Sequence, residues 1–552
     1  MNMIEKAMPP KEISFEGKLG TFITLPDQTL ISFIVEGKKP EQWNDTTIPQ
    51  YLYIRRSCDY GQTWSERELA ITFAPQPGTV KMLDLDCAPI LDQEGTIHVY
   101  AFMLLNWDAL IPYRDRLIQM LHMYSRDNGQ TWHGPETIDY GHSYTGSLNA
   151  VIQLSSGRMV MPFSYLSRRE TGCFVSEAIL SDDQGYTWRN AHAELVVDNG
   201  GSALESGSVE PVVIELRDGR VWMVIRTQTG RLYESYSSDE GETWTVPGPT
   251  PFFASNAPAG LVQLDNGRIM MCWNHSKCEP ISDGVSYSRQ SLVAAIREVD
   301  GSWSGYREIA HLTEEQDENH SVCYPWMQAL GDGTVLVGYL SVHLGDWMGT
   351  IKFKLVKVNP EWVAQQEQIE RWDEGLQTAS VTSCGVQLKH DKNDNKAVRI
   401  ARNSDTADNA TDNNPIGLTR NFPRMEQGEL SMRLQIDASF EGAYIAVSES
   451  FMKPNNLQGG MFRIKIEGDG SFHVQYLNEG PYYPLKTSLR MELDCWEEIT
   501  LRWDCSQEHA NLSLNGQSIG VLPQLEQGRG ISYVRLNIPA AGELLIQSIA
   551  SK

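Results

Sequence analysis

The sequence lacks three features that would each assign it to a distinct class of protein. It has no apolar run long enough to span a membrane. Its amino terminus, MNMIEKAMPPKE, lacks the apolar core of a signal peptide. Its nine cysteines are scattered, without the CxxC spacing of many metal sites. We therefore expect a cytoplasmic protein with no metal site, no cofactor and no membrane partner.

Positive charge is also scarce. Against 71 Asp and Glu residues there are 46 Lys and Arg, which gives a formal net charge of −25. Such a charge disfavours binding to nucleic acid or to an anionic membrane. An acidic substrate would need a local cluster of Arg or Lys to overcome the overall field.

An eight-residue motif repeats along the first part of the chain. The pattern S-x-D-x-G-x-T-W occurs at Ser57–Trp64, Ser125–Trp132, Ser181–Trp188 and Ser237–Trp244. The Asp can accept backbone N–H groups and the Gly tolerates positive φ, so the motif predicts a tight turn with an indole that packs between sheets. These tryptophans lie 56 to 68 residues apart, and Trp303 and Trp362 continue the spacing. Six such units, each with about four short strands, predict a six-bladed β-propeller.

The repeats, the polarity and the alternation of apolar residues together divide the chain into three segments. Residues 1–365 form the propeller, in which Glu12–Gly17 (EISFEG) should complete the last blade and close the ring. Residues 366–380 are polar and predict a short helical linker. Residues 381–552 alternate in the manner of strands without the Trp turn, which indicates a β-sandwich of the jelly-roll type. The fold class is therefore all-β.

Because the strands of a blade are antiparallel, each turn or link between strands can be assigned to one of the two ends of the propeller. The Gly hairpins and the Trp turns share one end, whereas the starts of first strands and the links between blades share the other. That second end surrounds the central mouth, which is the natural concave site of a propeller. The polar residues that this rule places at the mouth include Asp45, His142, Tyr144, Glu210, Arg226, His275, Arg289, His320 and Tyr324.

The repeated turns resemble the Asp-box repeats of the sialidase superfamily, over roughly Glu12 to Trp362. The run EPVVIELRDGRVWMVIR resembles the Glu-and-Arg hairpin of sialidases themselves. The resemblance implies a Tyr nucleophile, a Glu that withdraws its proton, an Asp acid and three Arg that hold a substrate carboxylate, which is an exception to the two-carboxylate scheme of most glycosidases. Matched position by position, it assigns Tyr324 as the nucleophile, Glu210 as the base, Asp45 as the acid, and Arg226 and Arg289 as the second and third arginines. The carboxy-terminal segment similarly resembles concanavalin-like sandwiches.

The first arginine of the sialidase pattern is missing. The F/Y-R-I-P motif has no counterpart in SFEGKLGTFITLP, where Lys18 is the nearest cation. An ammonium is a point charge and cannot reproduce the planar fork of a guanidinium. The departure weakens the prediction of a sialic-acid substrate more than that of the fold. We expect the remaining substrate contacts to come from Lys18, His142, Tyr144, His275 and His320.

Three functions remain open from the sequence, and the first is favoured. One is an exo-acting, sialidase-like glycoside hydrolase that releases a terminal acidic sugar. Another is a polysaccharide lyase that cleaves a uronate-containing glycan, such as a rhamnosyl-glucuronate, by β-elimination. The last is a non-catalytic glycan-binding protein. Each takes an oligosaccharide or polysaccharide as its partner. Structural roles also stay open, because Glu210 and Arg226 can pair across two strands and Tyr324 can be a packing aromatic.

Overall fold

Strands dominate the part of the chain that the structure describes. The computed structural model describes residues 8–37, 50–73, 81–104, 118–140, 148–167, 174–191, 193–197, 207–276, 288–313, 316, 319–343, 351–382, 384–391, 394–402, 414–539 and 541–552. These residues form six four-stranded sheets and two larger ones. None of the helices in the described ranges is long and apolar enough to cross a membrane.

The six four-stranded sheets are the blades of a propeller. Their strands are, in chain order, β1 (Lys11–Ile13), β2 (Phe22–Thr24), β3 (Leu30–Gly37), β4 (Gln50–Ser57), β5 (Glu68–Phe73), β6 (Lys81–Leu91), β7 (Ile97–Leu104), β8 (Ile118–Ser125), β9 (His133–Ile138), β10 (Ile152–Gln153), β11 (Met159–Leu166), β12 (Phe174–Ser181), β13 (Arg189–Asn190), β14 (Val209–Glu215), β15 (Val221–Arg226), β16 (Arg231–Ser237), β17 (Gly248–Phe253), β18 (Gly260–Gln263), β19 (Ile269–Trp273), β20 (Ser291–Arg297), β21 (Trp303–His311), β22 (His320–Ala329), β23 (Val335–His343) and β24 (Lys352–Val358). Blades 1 to 5 take four consecutive strands each, from β2 to β21, and blade 6 combines β22, β23 and β24 with β1. The predicted six-bladed propeller is confirmed.

The ring closes where the first strand meets the last. β1 pairs antiparallel with β24, with Glu12 opposite Val356, as the sequence predicted. Next to this seam, Trp326 of blade 6 donates its indole N–H to the carbonyl of Phe22 in blade 1 at 2.7 Å. Leu336 of blade 6 packs into the same apolar cluster as Phe22. Blade 6 therefore presents no bare edge at this point.

Local hydrogen bonds hold each Asp-box turn. In the second copy, Asp127 accepts from the Thr131 N–H at 2.8 Å and from the Thr131 hydroxyl at 2.6 Å. The Ser125 hydroxyl donates to Asp127 and accepts from the Gly129 N–H, each at 2.8 Å. The residue before the glycine, Asn128, has φ 56° and Gly129 has φ 79°, so two successive left-handed residues complete the turn. The same Asp–Thr bonds recur in the other three copies.

The tryptophan of each turn packs against the preceding blade. The rings of Trp132 and Phe33 lie 5.8 Å apart in an edge-to-face arrangement. Trp188 contacts Tyr100 in the same way at 5.5 Å. The position of the sixth tryptophan is filled differently, because Trp362 lies in a one-turn helix, Pro360–Ala364, and its ring lies 3.6 Å from the guanidinium of Arg307 in blade 5. The spacing of the tryptophans is thus kept even where the turn is lost.

The carboxy-terminal part is a β-sandwich. Its strands are β25 (Gln368–Glu370), β26 (Ala379–Val381), β27 (Val386–His390), β28 (Lys396–Arg402), β29 (Ile416–Met425), β30 (Gln427–Ile436), β31 (Gly442–Ser448), β32 (Phe462–Glu467), β33 (Phe472–Gln475), β34 (Tyr482–Pro484), β35 (Glu497–Asp504), β36 (His509–Leu514), β37 (Gln517–Pro523), β38 (Ile531–Ile538) and β39 (Gly542–Ser551). One sheet has the order β27-β28-β39-β30-β35-β36-β37 and the other β26-β29-β38-β31-β32-β33-β34. Apolar side chains from both sheets form one core between them.

The polar segment after the propeller differs from the helical linker that we predicted. Beyond the one-turn helix, Gln368–Glu370 is a strand that pairs with Ile549–Ser551 at the end of β39. β28 pairs only with Gly542–Ile546 of the same strand. β25 therefore continues the sheet where β28 stops, and this tertiary pairing outweighs the local preference for a helix.

Polar contacts join the sandwich to blade 5. The backbone N–H of Glu308 donates to the side-chain carbonyl of Asn421 at 3.0 Å. The guanidinium of Arg424 lies 4.9 Å from the ring centroid of Tyr306 and forms an ion pair with Glu449 at 3.0 Å. The sandwich consequently packs against the outer strand of blade 5.

Candidate active site

The assigned base and the assigned nucleophile lie on the first strands of two blades. Glu210 is on β14 of blade 4 and Tyr324 is on β22 of blade 6. In each strand the pairing register shifts at this residue, and in each the next residue is proline, Pro211 or Pro325. A proline cannot donate a hydrogen bond to the ladder, so it favours a β-bulge there. A bulge re-aims the side chain that it carries.

Both residues also have a strained backbone. Glu210 has φ 45° and Tyr324 has φ 56°, in the left-handed region that non-glycine residues seldom adopt. Each such residue costs about 1–3 kcal/mol, and such strain concentrates at functional sites. The two strained bulges indicate that the positions of these two side chains matter more than the regularity of the strands.

The two bulges bring Glu210 and Tyr324 into direct contact. The Tyr324 hydroxyl lies 3.0 Å from Oε1 of Glu210 and 3.2 Å from Oε2. Arg226 donates from Nη1 to the Tyr324 oxygen at 3.2 Å and forms an ion pair with Oε2 of Glu210. The cross-strand salt bridge and the base–nucleophile pair that the sequence left as alternatives are therefore both present. These distances allow direct transfer of a proton from the phenol to the carboxylate.

A second arginine and one asparagine complete the cluster. The guanidinium of Arg289 lies 5.6 Å from the ring centroid of Tyr324 and donates to the sulfur of Cys323 at 3.8 Å. Burial raises the pKa of the Cys323 thiol even though Arg289 opposes the shift, so the thiol stays neutral. Asn256 accepts hydrogen bonds from both Arg226 and Arg289. Two cations and one carboxylate thus surround the phenol.

Comparison with known proteins identifies similar sequences. The family described as BNR repeat-like domain matches residues 88–337. A sialidase of Micromonospora viridifaciens is 28% identical over 222 residues, which cover 36% of this chain and 32% of that protein. A sialidase of Clostridium perfringens is 26% identical over 318 residues, which cover 52% of this chain and 75% of that protein. Over these matched residues the chain is similar to the sialidase superfamily.

The match spans about a third of the Micromonospora relative and about three quarters of the Clostridium one. Among solved structures, the Trypanosoma rangeli sialidase aligns over 99% of this chain and 96% of its own, at 13% identity and a TM-score of 0.45. That likeness is too weak to carry an argument about function.

Three further residues that we assigned to the substrate site lie within the described ranges. His320 precedes Tyr324 on β22, and its ring packs edge-to-face on His343 of β23 at 4.8 Å. Lys18, whose side chain is 63% exposed, forms an ion pair with Glu36 at 3.3 Å. An exposed ammonium paired in this way is a point charge and does not supply the planar fork of a guanidinium.

His275 is enclosed by protein. It is 4% exposed, and its Nδ1 lies 3.2 Å from the carbonyl oxygen of Phe253. Burial lowers its pKa, while Glu449 and Arg424 of the sandwich act on it in opposite directions. This environment favours a packing role at the contact with the sandwich, and its role in substrate binding stays a prediction. The other assigned residues, Asp45, His142 and Tyr144, lie outside the described residues.

Asn256 was not among the residues assigned from the sequence. It lies in the segment that connects β17 of blade 4 to β18 of blade 5. The antiparallel order of the strands places links between blades at the mouth, so this rule could have identified the position. Its contacts with two arginines, however, depend on how blades 4 and 5 meet, and no local pattern reports that.

Proposed function

We propose that this protein is an exo-acting glycoside hydrolase that releases a terminal acidic sugar, such as sialic acid, from glycans. The observation that carries the proposal is the 3.0 Å hydrogen bond from the Tyr324 hydroxyl to Glu210. A free phenol has a pKa of about 10, so it needs an adjacent base to act as a nucleophile at neutral pH. A buried carboxylate in direct contact supplies that base.

The proposed reaction proceeds in two steps. First, the Tyr324 oxygen attacks the anomeric carbon as its proton passes to Glu210, and the bond to the leaving oxygen breaks. That oxygen takes a proton from Asp45, a role that rests on the sequence alone. Second, water attacks the same carbon and gives a proton to Asp45, while Tyr324 departs and regains its proton from Glu210. Two displacements at one carbon retain the configuration of the sugar.

The charges around the phenol suit this chemistry. A carboxylate on the substrate would repel an anionic nucleophile, whereas Tyr324 is neutral until Glu210 takes its proton. Arg226, 3.2 Å from the phenol oxygen, can stabilise the negative charge that develops there. Guanidinium groups also bind carboxylates through two parallel hydrogen bonds, which fits Arg226 and Arg289 to an acidic sugar.

The reaction type can be tested with a panel of terminal sialosides, uronides and rhamnosyl-uronates. Hydrolysis predicts two products whose summed mass exceeds that of the substrate by one water. A product that absorbs in the ultraviolet because of a new conjugated double bond would identify elimination and contradict the proposal. Saturable binding without any product across the panel would favour a glycan-binding protein instead.

A matched pair of variants tests the nucleophile. Tyr324→Phe should lower turnover by more than about 1,000-fold, because no other group replaces the attacking oxygen. Tyr236→Phe is the control, since Tyr236 also donates its hydroxyl to a glutamate of blade 4, Glu234, at 2.9 Å. The control should keep its turnover, and both variants should keep the wild-type circular dichroism. Full activity of Tyr324→Phe would remove this residue as the nucleophile.

A further inference from the structure

Asn256 connects the two arginines of the site. Its side-chain oxygen accepts a hydrogen bond from Nε of Arg226 at 2.6 Å, and its main-chain oxygen accepts one from Nη2 of Arg289 at 2.5 Å. Asn256 is only 1% exposed, so water has little access to either bond. Hydrogen bonds to charged groups are about twice as strong as neutral ones. One residue therefore contacts cations from two different blades.

The segment that carries Asn256 is itself held in place. The N–H of Ser255 donates to the carbonyl of Asn274 at 3.2 Å. The Asn274 side chain donates to the carbonyls of Ser291 and Val322, at 2.9 and 2.6 Å. The N–H of Val322 in turn donates to the carbonyl of Arg289 at 2.9 Å. These bonds join the link between blades 4 and 5 to the strand that carries Tyr324, so Asn256 is part of a fixed frame.

We propose that Asn256 is a positioning residue that orients Arg226 toward the base and the nucleophile. A guanidinium is planar, so a partner that fixes its Nε also fixes the direction of its Nη1. In Arg226 that Nη1 contacts both Glu210 and the Tyr324 oxygen. Loss of the Asn256 side chain removes the acceptor at Nε, so the orientation of the guanidinium is less fixed and the contact of Nη1 with the phenol weakens. The kinetic consequence rests on the proposed hydrolase function, whereas the geometric one does not.

Three variants separate positioning from folding. Asn256→Ala removes the acceptor of Arg226 but keeps the main-chain carbonyl that binds Arg289. Asn256→Asp keeps an acceptor at the same place. Asn537→Ala is the matched control, because Asn537 of the sandwich is equally buried and donates to the carbonyls of Pro454 and Asn456, at 3.2 and 2.9 Å.

The kinetic test compares kcat with KM. Asn256→Ala should lower kcat by about 10- to 100-fold, the effect of one hydrogen bond to a charged group, and should also raise KM, because Arg226 binds the substrate carboxylate in the proposed reaction. Asn256→Asp should recover most of the loss. Asn537→Ala should lower the melting temperature and leave kcat per folded molecule unchanged. An unchanged kcat in Asn256→Ala, or equal losses in both alanine variants, would overturn the proposal.

A second measurement does not require activity. The side-chain Nε–H resonance of Arg226 can be assigned in ¹⁵N spectra by its absence from Arg226→Lys. Its exchange with solvent should be at least about tenfold faster in Asn256→Ala than in the wild type, and should stay slow in Asn256→Asp and Asn537→Ala. Unchanged exchange in Asn256→Ala would overturn the proposed orientation. If exchange accelerates as expected but the wild type hydrolyses no glycoside, the proposed function fails and the positioning role stands.

Discussion

The two ends of the propeller are built in opposite ways. At one end, the four Asp-box turns repeat one hydrogen-bond pattern, with the same 2.8 Å distance from the Thr N–H to the Asp carboxylate in every copy. At the mouth, blades 4 to 6 and the link between blades 4 and 5 contribute different side chains, namely Glu210, Asn256, Arg289 and Tyr324. The end with the Asp-box turns stabilises the fold, and the mouth carries the candidate catalytic residues. Substitutions should therefore change stability at one end and rate at the other.

The largest effect should come from the base at the mouth. Glu210→Gln removes the proton acceptor of Tyr324 and should lower kcat by about 1,000-fold, within the range for general-base catalysis. The control is Glu234→Gln in the same blade, where Glu234 also accepts from a phenol. Steady-state kinetics and thermal melts of both variants should show a loss of rate only in the first. Equal losses of kcat in the two variants would mean that Glu210 contributes to folding stability and not to proton transfer.

At the opposite end of the propeller, even a large truncation should leave the catalytic rate intact. Trp132→Ala removes an indole that packs on Phe33 and joins the apolar cluster between blades 1 and 2. Because the indole is only partly buried, the free energy of unfolding should fall by about 2–3 kcal/mol, less than for a core tryptophan. Urea unfolding measures this loss, and kcat per folded molecule should match the wild type. A reduced kcat in the folded fraction would contradict the separation of the two ends.

A buried histidine pair in blade 2 should make this framework sensitive to acid. Nδ1 of His98 lies 2.9 Å from Nε2 of His122, and its Nε2 lies 3.1 Å from Asp92. Burial, reinforced by His98, lowers the pKa of His122 to about 3, and burial also lowers the pKa of His98 despite Asp92. Below about pH 6.5 the unfolded chain binds protons that the folded chain does not, so stability falls as pH falls toward 3.

Replacing one member of the pair tests this dependence. Each such histidine contributes up to ~1.4 kcal/mol of lost stability per pH unit within that range. His122→Gln should therefore flatten the decline of the urea midpoint between pH 7 and pH 5, while kcat at pH 7 stays unchanged. A decline as steep as that of the wild type would show that other groups cause the acid sensitivity.

The smallest effect should come from a single Asp-box carboxylate. The hydroxyl and N–H of Thr131, with the hydroxyl of Ser125, lower the pKa of Asp127 to about 2. This carboxylate stabilises the fold above pH 4, and its contribution is lost as pH falls through about 2. Asp127→Ala should lower the melting temperature at pH 7 by roughly 2–4 °C, and the difference from the wild type should shrink toward pH 2. A difference that is independent of pH would contradict this assignment.

The same contrast explains what the sequence could predict. The Asp-box turns could be predicted from the sequence because their hydrogen bonds join residues two to four positions apart, such as Ser125, Asp127 and Thr131. The pairing of Glu210 with Tyr324 followed only from the superfamily resemblance, since 114 residues separate them. Asn256 escaped prediction because its contacts depend on the meeting of blades 4 and 5. The local sequence of Gln368–Glu370 predicts a helix, because only its distant partner β39 makes this segment a strand.

One measurement tests the central claim most directly, namely that Tyr324 is the nucleophile activated by Glu210. The wild-type protein and Tyr236→Phe are incubated with 2,3-difluorosialic acid, digested and analysed by mass spectrometry. We predict a covalent glycosyl adduct on the peptide that contains Tyr324 in both proteins, with far slower labelling in Glu210→Gln. An adduct on another residue, or hydrolysis of sialosides with no adduct on Tyr324, would contradict the account.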